Sequence, residues 1–367
     1  MEIKSYKNLR ALLLFAIVLI LLLLSPICNR ALRANPWQNL PGAFQNTIDC
    51  RNYGKIYPKD SNVLRDRFGF AMTQNYATNK DTRNKYLQLN LFYGTMKNLN
   101  GLNLGLFLSA HTKLDYRDCN GQMKQSLPTT RGISINGIGS EHGNFTGIAF
   151  ASFVNEMEGE YKGISITGFM NQIQGDYAGI SFTGLINEIR GESIGIPISF
   201  FANEMRGNST AISLAGFVNR IRGNYTGISF SSLINYTNKN FNGISLAFIT
   251  LTKKKFRGIN ASGISEMKEM QAASLSAVHI IRGKNKGLVV GAFNSVKNNQ
   301  FFQAGVWNST KKNKFLQLGL VNTTKKNSGL AIGLINYTNK NAGIQLGILN
   351  IAPNSWLPIF PIINFSR

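Results

Sequence analysis

Between residues 132 and 257 one pattern of large apolar and small polar positions recurs every 16 residues. Gly163-Ile164-Ser165-Ile166-Thr167-Gly168-Phe169-Met170-Asn171 shows it, and Gly179-Ile180-Ser181-Phe182-Thr183-Gly184-Leu185-Ile186-Asn187 repeats it. Positions two and four are large and apolar, whereas positions three and five are Ser, Ala, Thr or, once, Pro197. This period-2 alternation predicts a strand. Position six is usually Gly, which marks a bend, a bulge or a close backbone approach. Positions seven and eight are both apolar, position nine is Asn, and Gly with polar residues then makes a turn. The asparagine falls at Asn155, Asn171, Asn187, Asn203, Asn219 and Asn235. Over residues 258–286 the pattern blurs into an irregular transition between two unit sizes, or a small excursion. Over residues 287–350 it returns every 14, at Asn294, Asn308, Asn322, Asn336 and Asn350. A period this strict predicts a repeat architecture.

Two all-β architectures use such strands. In a short-repeat β-solenoid of 14–16-residue units every unit has the same neighbours, and the asparagines stack as a buried amide ladder. In an antiparallel outer-membrane-type β-barrel, turns alternate between two ends and alternate turns should differ. The turns Glu156-Met157-Glu158-Gly159, Gln172-Ile173-Gln174-Gly175 and Glu188-Ile189-Arg190-Gly191 are alike in succession, which favours the solenoid. The adjacent apolar pair at positions seven and eight keeps the barrel as the alternative, because a solenoid must bury one of them by bending at the glycine.

The ends differ from the repeats. Lys4, Lys7 and Arg10 precede an apolar run from Ala11 to Leu24, which makes residues 1–34 a signal peptide or membrane anchor. Cys28 is a candidate lipid-anchor site, although Ile27 before it is a poor residue for that purpose. Residues 35–63 form a polar lead-in, 64–131 hold N-terminal strands with a longer loop from Thr112 to Arg131, and 351–367 form an aromatic C-terminal cap. In an exported chain Cys50 and Cys119 are a candidate disulfide, with two free buried thiols as the alternative.

The net charge is +23 at pH 7, which points to an anionic partner or surroundings. The candidate binding residues are Lys297, Lys311, Lys312, Lys325, Lys326 and Lys340, which recur with the 14-residue unit. Stacked coils would align them into a ridge suited to an anionic glycan or lipopolysaccharide. Aromatics are not interleaved with these lysines, so nucleic acid is disfavoured. No catalytic, cofactor or metal site is legible. The serine of each unit recurs too often to be a nucleophile, and the three histidines are scattered. Glu156, Glu188 and Glu204 share one turn position and read as a solvated edge.

The Gly-x-x-x-Gly-Leu-Ile-Asn units, the change from a 16- to a 14-residue beat, and the close Trp356-Leu357-Pro358-Ile359-Phe360-Pro361-Ile362-Ile363-Asn364-Phe365 resemble the surface-repeat proteins of spirochaetes, which have relatives in other Gram-negative bacteria. The resemblance covers residues 86 to 365. It implies export, a place at the cell surface or outer membrane, and membrane association. It implies no established activity and carries over no functional residues.

Overall fold

The computed structural model describes residues 68–73, 76–77, 84–96, 98–111, 114–117, 123–354 and 358–365. The targeting segment, the polar lead-in, Cys28, Cys50 and Cys119 lie outside the described residues. The chain falls into two units, Arg51–Leu114 with Gln125–Arg367, and Met1–Cys50 with Asp115–Lys124. In the region read above as a loop, strands Leu114–Arg117 and Met123–Ser126 form a two-stranded sheet of their own, and the solenoid resumes at Thr129–Asn136.

The larger unit is a parallel β-solenoid. One coil consists of strand Tyr161–Thr167, a bend at Gly168 and Phe169, strand Met170–Ile173, and a turn leading into strand Tyr177–Thr183. Each strand pairs in parallel with its equivalent one coil on: Tyr161 with Tyr177 through Thr167 with Thr183, and Met170 with Ile186 through Ile173 with Ile189. This excludes the antiparallel barrel, in which successive strands would run oppositely and the asparagines would alternate between two ends. The long strand turns at Gly163, where φ is 138° and an added Cβ would lie 1.9 Å from the Gly147 carbonyl oxygen. Only glycine fits that backbone without strain.

The inner surface has two ends of opposite character. Beside the turn, Tyr161 and Ile173 are fully buried, and their equivalents form an apolar core. Aromatic rings stack along it, with centroids 5.9 Å apart for Tyr161 and Tyr177 and 4.9 Å for Phe241 and Phe256. Ser193 and Ser209 interrupt this column. Beside the glycine bend the inward residues are polar: Ser165, Thr167 and Asn171 are buried, while Ile166 and Phe169 face outward. The bend does not bury Phe169, which is 51% exposed, and it leaves Met170 half-buried. The expected rule of one buried residue per apolar pair therefore fails here, although Ile234 satisfies it in its own coil. A narrow corner has room for Ser, Thr and Asn, and their hydrogen bonds to neighbouring coils offset the desolvation that burial would otherwise cost.

The blurred region is continuous strand, Phe241–Asn285, without an excursion. It is built of shorter coils. Phe230 pairs with Leu246, 16 residues on, whereas Ile234 pairs with Ile249, 15 on. Ile281 pairs with Val296 at 15, and after a bulge Lys284 pairs with Asn298 at 14. The last coil is covered by strand Ile359–Phe365, which runs antiparallel to Ile344–Ile351.

Candidate functional site

The asparagines form hydrogen-bonded ladders at the glycine corner. Asn294 Nδ2 donates to Asn308 Oδ1 at 2.8 Å, Asn308 to Asn322 at 2.9 Å, Asn322 to Asn336 at 2.8 Å, and Asn336 to Asn350 at 2.8 Å. Each of the first four also donates to a backbone carbonyl of the next coil; Asn322, for example, bonds Ile332 O at 2.8 Å. In the 16-residue coils, serine joins the ladder. Asn155 Nδ2 donates to Ser165 Oγ at 3.2 Å, and that hydroxyl donates to Asn171 Oδ1 at 3.0 Å. Direct amide bonds link Asn171 to Asn187, Asn203 to Asn219, and Asn219 to Asn235 at 3.0–3.2 Å. All eleven of these asparagines are buried.

Within the 16-residue coils this ladder breaks between Asn187 and Asn203. Asn187 Nδ2 and Asn203 Oδ1 are both buried without a hydrogen-bond partner. The break sits at the one coil whose serine is replaced by Pro197. Proline supplies no hydroxyl and no N–H, and the pairing with the following strand skips from Gly195–Ala211 to Ile198–Leu214.

Three features escaped the sequence reading. A second ladder, Asn285, Asn299, Asn313, Asn327 and Asn341, runs along another edge with amide bonds of 2.9–3.0 Å. Its 14-residue spacing is in the sequence but reads as polar turn composition. His279 pairs in register with Asn294 and bonds it at 2.8 Å, so the histidine continues the first ladder. Burial holds its pKa down at about 4, against the opposing bonds to Asn294 and Ser274. The glutamates at the turn are not a solvated edge. Glu188 is 1% exposed and meets Arg190 at 3.0 Å and Arg206 at 2.6 Å, and Arg206 and Arg222 both reach Glu204.

The six candidate lysines are exposed on the 14-residue coils. Register places Lys312, Lys326 and Lys340 side by side in adjacent strands, and Asn298 precedes them in that column. Lys311 and Lys325 stand exposed next to this column, with Lys297 one repeat earlier. After Glu269 the chain has no Asp or Glu side chain, so this charge meets no carboxylate from its own coils. Neighbouring strands lie ~4.8 Å apart, so each adjacent pair of ammonium groups repels by up to about 1 kcal/mol in water.

Among the described residues no group of three or more His, Cys, Asp or Glu side chains could hold a metal ion. The recurring serine hydroxyls point inward and bond the asparagines. Fold and site together define a parallel β-solenoid with a polar amide spine and a basic outer edge. Comparison with known proteins finds no family profile, curated protein or solved structure that matches the chain.

Proposed function

We propose that this is a non-enzymatic, exported cell-envelope protein whose stacked coils present a lysine array to an anionic polymer, a glycan or lipopolysaccharide. The observation that carries this reading is the in-register lysine column on coils that contain no carboxylate. Repeated self-repulsion of this kind is relieved by a ligand that spaces negative charge along the stack. The inward engagement of each unit's serine supports a structural role for the most repeated hydroxyls. The apolar run from Ala11 to Leu24 behind three basic residues supports export.

The test is binding of a sulfated glycosaminoglycan and of lipopolysaccharide, followed by titration against salt. Binding is expected to weaken steeply as ionic strength rises. Replacement of Lys311, Lys312, Lys325 and Lys326 by Gln is expected to abolish it without altering the strand signal in circular dichroism. Binding that survives both the substitutions and high salt refutes the proposal.

A further inference from the structure

The glycine corner carries an apolar outer surface that continues from one repeat block into the other. In the 16-residue coils it presents residues such as Ile166, Phe169, Phe182, Phe200 and Phe217, each at least 36% exposed. Phe153 and Phe169 stack on each other across coils at 5.6 Å. In the 14-residue coils Gly305, Gly319, Gly333 and Gly347 floor a groove of about 950 Å³, walled by Leu318, Leu320, Ile332, Leu334 and their equivalents. Ile362 of the terminal antiparallel strand lines it where that strand faces Gly347. Soluble monomers seldom leave a contiguous apolar surface beyond a few hundred Å². The surface is also fixed in place, because the inner side of the same strands carries the amide ladder. A one-residue slip would bury the Ile and Phe side chains but would expose every Asn and Ser.

We propose that this corner is a seat for the acyl-chain layer of an anionic lipid bilayer, with the lysine columns facing the headgroups. Two observations favour a bilayer over a second copy of the chain. Pairing two such corners would bring together two chains of net charge +23. It would also set groove against groove and leave both unfilled, whereas fluid acyl chains follow a concave floor. The lysines stand about five residues beyond the corner leucines, roughly 16 Å of extended strand, which places them on the water side. The choice of an anionic headgroup rests on the polyanion reading above; insertion of the corner does not.

Trp307 lies at this corner and is 40% exposed. Full-length protein carrying Trp37→Phe and Trp356→Phe leaves it as the sole tryptophan. It is mixed with phosphatidylglycerol–phosphatidylethanolamine vesicles whose acyl chains bear bromine. Trp307 emission is expected to shift to the blue and to be quenched severalfold, and Leu318→Ser with Leu320→Ser and Leu334→Ser should remove both effects. Because Trp307 reports only its own surroundings, attachment through residues 11–24 does not mimic the result. Unquenched Trp307 on vesicle-bound protein overturns the proposal, as does a blue shift that grows with protein concentration in the absence of lipid. Equal quenching on phosphatidylcholine vesicles keeps the insertion and overturns the anionic-headgroup half.

Discussion

Replacing Pro197 with Ser should stabilise the protein. Six other coils place serine in this column, at Ser134, Ser165, Ser181, Ser213, Ser229 and Ser245, and all six are fully buried. Ser213 donates to Asn219 at 2.6 Å and Ser229 to Asn235 at 2.9 Å, which is the geometry a serine at 197 would take toward Asn203. The new hydroxyl satisfies Asn203 Oδ1, whereas the restored N–H gains no such partner, because the equivalent Ser213 N–H donates to Tyr225 Oη and Ser209 stands in that tyrosine's place. One buried polar group rescued is worth about 1–3 kcal/mol. Against this stands the loss of proline's restriction of the unfolded chain, about 0.4–1 kcal/mol. The net expectation is a gain of about 1 kcal/mol. Urea denaturation followed by circular dichroism measures it, and hydrogen exchange at residues 193–205 localises it. A Pro197→Ser protein no more stable than the parent, with unchanged exchange at Asn187 and Asn203, would refute the account of the ladder break.

Asn322→Ala deletes three hydrogen bonds, to Asn308, Asn336 and Ile332, and should cost about 3 kcal/mol in the same assay, whereas Thr323→Ala beside it should cost under about 1. Gly163→Ala forces a side chain onto left-handed backbone against the Gly147 carbonyl and should cost about 3 kcal/mol, while Ala211→Gly, in the same column but without that backbone conformation, should change stability by less than about 1. His279 stays neutral in the folded chain down to about pH 4, whereas the unfolded chain takes up its proton near pH 6.5. Stability should therefore fall as pH drops through that window, by about 3 kcal/mol in all. His279→Asn should flatten the slope, and parallel pH–stability curves for parent and variant would show that another group is responsible.

The repeat, its strands and the parallel stacking were legible because equivalent neighbours demand equivalent sequence, and the like turns follow from that. The inward side of the asparagine strand was legible, but that of the longer strand before the glycine was not. Alternating Ile and Ser states a period but not a direction, and the direction is set by how little room the glycine corner leaves inside. Partners a coil apart become neighbours only after stacking, so Glu188 reads as a solvent-facing turn residue although Arg206, 18 residues on, lies against it. The aromatic column beginning at Phe145 and Tyr161 falls just past each turn, outside the nine-residue unit that drew attention. The lysines were easier to place, since a 14-residue beat on exposed strand positions can only make columns in a parallel stack.

The departures from regularity have a consequence for how the chain finds its own registry. Among identical units, a strand can dock one coil too early or too late with almost the same bonds, so a perfectly uniform stack would trap itself in shifted pairings. Pro197, the paired Ser193 and Ser209, and the two places where a coil loses a residue each match only one alignment. They act as landmarks for assembly, trading some local stability for a single folded outcome. Erasing them together should leave a more stable but slower and more heterogeneous folder.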